Sequence, residues 1–295
     1  MAFYSAAMDL KDVLDEAENL GGIDITAETA VYNNTASTQA ELTAAITAVN
    51  KKMQEAAYNN ATGTNPVVVT NLHITNPSYD SNNNTGWSGT PAAFQSYTDA
   101  EFYEKVFDTY QNISELREGV YALGVQAFYR NGAAQTAYNS YAANEAQNND
   151  VKMYVVQGTD SVKKAIVTPF PEATNEKVGV GTESSVTTTA GDTLWIPNNM
   201  QAAEAYFVQA DRYHNSLFFQ TNGTSATIGM KNSKSVSAGW VLYDNWSLTY
   251  YGKGADAYQA WSDNALGTMN NVNADAFFTE SYATALAAAT TGKTA

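Results

Sequence analysis

The chain contains no cysteine and only two histidines among its 295 residues. The first absence removes disulfides, thiolate nucleophiles and cysteine-ligated zinc. His73 and His214 lie far apart, in neither a HExxH nor an HxH spacing, which argues against a catalytic zinc site. Charge is also scarce: Asp, Glu, Lys and Arg make up 15%, against roughly 25% in an average soluble protein. Bases are scarcer than acids, 15 against 30, for a formal charge of −15. That field argues against a nucleic-acid or anionic-membrane partner. No run reaches the roughly 18 apolar residues of a membrane span. Residues 1–10 lack the basic start and apolar stretch of a secretory leader. The chain is thus either cytoplasmic or a mature fragment, and its Asn/Thr/Tyr-rich composition favours the second, with an extracellular or cell-surface location. Hydrophobic residues are 44%, enough for a sizeable core.

Texture divides the chain into three segments. Residues 1–62 read as a helical hairpin. Leu10, Val13, Leu14, Ala17 and Leu20 recur at helical spacing, and Gly21-Gly22 stops the helix. A second helix opens at Ser37 or Thr38, with Glu41 at the capping-box distance from Thr38. Its stripe of Leu42, Ile46, Val49 and Met53 is narrow and needs a partner surface. Residues 63–252 alternate Val/Thr/Tyr/Phe runs with Asn/Gly/Ser loops, the texture of a β-sandwich. Strands are expected at 67–75, 107–113, 120–130, 151–157, 213–220, 225–230 and 240–251, with a helical interlude at 199–209. Residues 253–295 turn helical again, around 258–266 and 274–288, with a frayed tail from 289. If the first and last strands are neighbours, the two terminal helical segments emerge together and can pack as one small bundle.

Two strands carry chemical information. In the last, Trp240, Leu242, Asp244, Trp246, Leu248 and Tyr250 alternate onto one apolar face. Asp244 in that row is costly unless hydrogen-bonded to amides or a tyrosine, or bound to a cation such as calcium. In 120–130, Ala122, Gly124, Gln126, Phe128 and Arg130 share one face. The small residues leave a depression, while Gln126, Phe128 and Arg130 offer an amide, a ring and a guanidinium suited to saccharides. The competing reading is ordinary burial beneath a loop.

Four motifs follow one another along the chain: Asn76-Pro77-Ser78-Tyr79-Asp80 with Gly86-Trp87; Tyr110-Gln111-Asn112-Ile113 with Leu116, Gly119 and Tyr121; Trp195-Ile196-Pro197-Asn198; and Trp240-Val241-Leu242-Tyr243-Asp244-Asn245-Trp246. Their order resembles the jelly-roll carbohydrate-binding modules of the galactose-binding-like type, found in surface proteins of glycan-degrading gut bacteria. The resemblance covers roughly residues 67–252 and implies a two-sheet β-sandwich. It also implies a structural calcium at Asp80 and Asp244, although Asp80 stands where a Glu is usual. Trp195, Tyr213 and His214 are further candidates for glycan contact, whereas Trp87 and His73 read as structural.

A glycosidase needs two carboxylates roughly 5–9.5 Å apart across the sugar, and the acids here concentrate on the flanking helix and in loops. Arg212-Tyr213-His214 does not converge on a strand, where neighbours face opposite ways. No G-x-S-x-G or phosphate-cradling glycine loop is present. The expectation is a non-catalytic module that binds an oligo- or polysaccharide. The alternatives are a structural or adhesive surface module with helical spacers, and an accessory domain of a glycoside hydrolase or lyase. Neighbouring domains of a longer chain are the other expected partners.

Overall fold

The computed structural model describes residues 2–143 and 150–270. Three helices open the chain: α1 (Ala2–Leu20), α2 (Thr26–Asn33) and α3 (Gln39–Asn60). Helix α1 ends as the spacing predicts, with Gly21 at φ +71°, a conformation that costs glycine little. Helix α3 starts at the expected capping box: Glu41 N donates to Thr38 Oγ1 at 3.3 Å, and Thr38 N donates to Glu41 Oε2 at 2.7 Å. Helix α2 is an addition to the expected hairpin. The narrow stripe of α3 finds its partner in α1, where Leu10, Leu14 and Ala17 meet Leu42, Ala45 and Val49 around Ile25.

The strands and helices that follow are β1 (Val67–Val68), the helical turn α4 (Thr70–His73), β2 (Ser88–Gly89), β3 (Ala100–Tyr103), β4 (Phe107–Ile113), β5 (Glu118–Asn131) and α5 (Ala134–Ala142). Next come β6 (Val151–Gln157), β7 (Asp160–Ala165), β8 (Glu183–Thr187), β9 (Thr193–Pro197), α6 (Met200–Glu204) and a π-helical turn (Ala205–Gln209). The described chain closes with β10 (His214–Asn222), β11 (Ala226–Asn232), β12 (Gly239–Tyr250) and α7 (Ala255–Asn270). The expectation for 274–288 and for the tail falls outside the described residues.

The result is a mainly-β sandwich flanked by helices. One sheet runs β1–β12–β5–β10, with β3 also on β12; the other runs β2–β4–β11–β6–β7; β8 and β9 form a separate hairpin, and all pairs are antiparallel. The core between the sheets is aromatic: Tyr79, Trp87, Phe102, Phe107, Tyr121, Phe219, Tyr243 and Trp246 are all buried. Trp87 lies 5.0 Å from Trp246 ring to ring and donates its indole N–H to Asn76 O. Trp246 N donates to Pro77 O, which ties the loop after α4 to the last strand.

Three expectations change. The strand expected at 67–75 breaks after two residues, because Val69 turns the chain into α4, where Thr70 Oγ1 accepts from Leu248 N at 2.9 Å. The apolar row of β12 does not stay on one face. A register shift between Asp244 and Ser247, with Asn245 at φ +51°, reverses the alternation. Val241 and Tyr243 before it, and Trp246, Leu248 and Tyr250 after it, all face the inter-sheet core, while Trp240 and Leu242 pack outward under α6. Finally, the terminal helices do not build a common core among the described residues. Helix α7 lies on the outer face of the first sheet, where Ala257 meets Val120, Ala122 and Phe218. The loop after α3 meets α7 through a hydrogen bond: Gly63 N donates to Asp256 Oδ2 at 2.7 Å.

Candidate functional site: a polar side groove and a buried acid cluster

The outer face of β5 is the one expected to meet a saccharide. Helices cover it at both ends, and only its middle is open. At one end Phe128 is fully buried with Phe207, Tyr213 and Trp240 beneath α6 and the π-helical turn, so it has no surface on which a sugar could stack. Arg130 is buried beside it, 4.9 Å from the Trp240 ring, and donates to Asn198 Oδ1 at 2.7 Å. Burial lowers its pKa from the usual guanidinium value. The expected depression does exist at Ala122, Gly124 and Gln126, as a groove of about 360 Å³ reaching His214, Ser247 and Tyr251. Its amides, however, are engaged with the protein. Gln126 Nε2 donates to Phe207 O and Arg212 O, and its Oε1 accepts from Asn245 Nδ2. Asn215 Nδ2 donates to Ala127 O and Tyr213 O.

The other expected contact residues are dispersed. Tyr213 is buried at φ +63°, parallel to Tyr206 at 5.9 Å, and its hydroxyl has no hydrogen-bond partner. It is a core residue. His214 is exposed, and its Nε2 lies 2.8 Å from Asp211 Oδ1. Trp195 sits on the separate β8–β9 hairpin, half-buried, with Lys177 Nζ 4.1 Å from its ring centre. The structure therefore brings Gln126 and His214 to one groove and leaves Phe128, Arg130, Tyr213 and Trp195 elsewhere.

Of the two residues expected to hold calcium, Asp244 is buried and Asp80 is exposed on its turn. Asp244 Oδ1 has no hydrogen-bond partner. Near it are two acids that no local pattern singled out: Asp99, just before β3, with both carboxylate oxygens unpartnered, and Glu204, the last residue of α6, with Oε2 unpartnered. Thr98 Oγ1 donates to Glu204 Oε1 at 3.2 Å. Burial and then the Glu204 charge push the Asp99 carboxyl up to about 9. Burial likewise raises Asp244 and Glu204 above the usual carboxylate range. Hard oxygen donors stripped of water and of other partners suit a hard dication. Among the described residues no three His, Cys, Asp or Glu side chains are placed to hold one ion together. A cation on Asp244 would therefore need backbone carbonyls or water to complete its shell.

A different groove keeps its polar groups free. It follows the open side of the sandwich, where edge strand β10 faces the β6–β7 hairpin. A polar lobe of about 570 Å³ is lined by Gln157, Asp160, Gln220, Thr221, Asn222 and Ser225. A smaller lobe sharing Gln157, Asp160 and Gln220 is lined by Val162 and by the half-buried Trp261 of α7. No protein group among the described residues hydrogen-bonds the side-chain amides of Gln157, Gln220 or Asn222. The spacing of Ala257 and Trp261, one turn apart, marks an apolar stripe on α7, but nothing local indicates which strand edge it meets.

No protein-family model and no curated protein matches the chain. Among solved structures, TmCBM61 in complex with beta-1,4-galactotriose is similar, at 11% sequence identity and a TM-score of 0.29, covering 60% of this chain and 97% of that one. The fold stands on the strand pairing described above. Among the described residues no helix is long and apolar enough to cross a membrane.

Proposed function

We propose that the chain is a non-catalytic carbohydrate-binding module of a secreted or cell-surface protein, with a galactose-binding-like jelly roll as its sandwich and the side groove as its glycan site. One observation carries the reading. Trp261 and three uncommitted amides, on Gln157, Gln220 and Asn222, line one continuous groove whose only charged side chain among the described residues is Asp160. A ring offers the C–H face of a pyranose a stacking surface, and amides and a carboxylate match its hydroxyls. A single carboxylate does not meet the two-acid requirement of glycoside hydrolysis, which favours binding over cleavage. Affinity from one shallow site is modest, and tethering to neighbouring domains raises it. The separate core of α1–α3 favours a second role for residues 1–62 as a spacer between such domains, with 63–252 the sandwich and 253–295 the segment that carries Trp261. A structural calcium on Asp244 belongs to the same proposal, supported by its unpartnered oxygen.

A glycan array followed by affinity electrophoresis tests the site. Wild type is retained by at least one neutral polysaccharide, and both Trp261→Ala and Gln220→Ala lose that retention. Retention unchanged in both variants removes the groove as the site. No retention on any glycan removes the function.

A further inference from the structure

A second cleft, of about 440 Å³, opens where α3 meets α4 and the loop between β4 and β5. Its floor is a hydrogen-bonded chain of side chains. His73 Nδ1 lies 2.9 Å from Ser114 O, and because a carbonyl only accepts, that nitrogen carries a proton. In the neutral ring Nε2 is then the acceptor, and it receives the Tyr58 hydroxyl at 3.3 Å. The Tyr58 hydroxyl also contacts that of Tyr121, which sits between Arg117 N and Arg117 O at 2.9 and 3.0 Å. The Arg117 guanidinium is held over the Tyr58 ring at 4.4 Å, with one Nη donating to Asn59. Arg117 is thus fixed in place while most of its five N–H donors stay free.

Around this floor the walls carry uncommitted charge. Lys51, Glu55 and Glu115 line the cleft and form no ion pair or side-chain hydrogen bond among the described residues, and Arg117 forms no ion pair. Unpaired bases are common here, since among the described Lys and Arg residues only Lys11, Lys52 and Lys253 form an ion pair; what sets this cleft apart is that Lys51 and Arg117 line one concave space. The side chains of Asn50 and Asn71 face the same space without a protein partner. We infer that this cleft is a binding site for an acidic saccharide, one that bears a uronate carboxylate. The planar Arg117 fork and the Lys51 ammonium take the carboxylate. Glu55, Glu115, Asn50 and Asn71 take the ring hydroxyls. The inference does not depend on the side groove, which shares no residue with this cleft.

Isothermal titration of the full chain with trigalacturonate, and with the same trisaccharide methyl-esterified at every carboxylate, isolates the charge. Trigalacturonate binds, and the ester binds at least tenfold more weakly at the same ionic strength. Lys51→Met, at an exposed position that cannot disturb the floor, lowers affinity at least tenfold, as does Arg117→Gln. Trp261→Ala leaves it unchanged, so failure here and failure of the side groove are separately visible. Equal binding of acid and ester, wild-type affinity in Lys51→Met, or no heat with trigalacturonate each overturns the inference.

Discussion

Asn245 Nδ2 donates to Gln126 Oε1 at 2.8 Å, across the pair of strands that dominates the first sheet. Asn245 is the residue at φ +51° where β12 changes phase, so this contact pins the bulge to the neighbouring strand. From the same amide, Gln126 Nε2 reaches back to Phe207 O at 2.7 Å and Arg212 O at 3.1 Å. One buried side chain thereby joins the bulge to the end of the helical interlude over the sheet.

Gln126 is for this reason expected to act on stability rather than on ligand contact. Gln126→Leu keeps the volume but leaves two carbonyls and the Asn245 amide without that partner, at a cost of about 1–3 kcal/mol. His214→Ala, at an exposed site on the same groove, should stay within about 0.5 kcal/mol of wild type. Urea denaturation compares them. A Gln126→Leu protein as stable as wild type would show that these hydrogen bonds contribute nothing.

The bulge also explains what the sequence could and could not convey. Strands β4 and β6 follow directly from their runs of Val, Phe, Tyr and Met, and α3 begins where Thr38 and Glu41 can close a capping box. On β5 the two faces separate as strict alternation requires, with Tyr121, Leu123, Val125, Ala127 and Tyr129 all in the inter-sheet core. Alternation fails on β12 because one extra residue reverses every later side chain, and Asn245 carries no mark of it in a run that reads as an unbroken strand. Part of the expected contact face is covered for a related reason. Ring and guanidinium at Phe128 and Arg130 look the same in sequence whether they face solvent or a covering helix, and here α6 covers them. Short strands such as β7 and β8, rich in Lys, Ser and Glu, carry no apolar period and are ordered by their neighbours.

Asp99 gives the protein a pH dependence of definite sign. Its carboxyl is pushed up to about 9, far above the ordinary aspartate value, so the folded state binds a proton that the unfolded state releases. The stabilisation is complete below about pH 4 and is lost as pH climbs toward 9, with a slope of up to about 1.4 kcal/mol per pH unit. Asp24 and Glu41, lowered by hydrogen bonds from Thr26 and Thr38, work in the opposite direction and lose their contribution only below the carboxylate range. In chelator, Asp99→Asn should lessen the decline between pH 5 and 9, the share owed to the raised Asp244 carboxyl remaining, and leave the acid limb in place. Urea midpoints measured across that range decide it: parallel curves for variant and wild type would mean that Asp99 ionises freely.

Calcium would reverse that cost, which makes the two measurements complementary. A dication beside Asp244 supplies the charge that its unpartnered oxygen and those of Asp99 and Glu204 lack, so the carboxylates can ionise without loss of stability. At calcium one hundred times its dissociation constant, binding contributes about 2.7 kcal/mol, a rise of about 5–10 °C in Tm for a chain of this size. EDTA should remove that rise, and Asp244→Asn should abolish the sensitivity to EDTA. The alkaline decline assigned to Asp99 should shrink in wild type when calcium is added, but not in Asp244→Asn. Melting curves that coincide with and without the ion would show that none binds at Asp244.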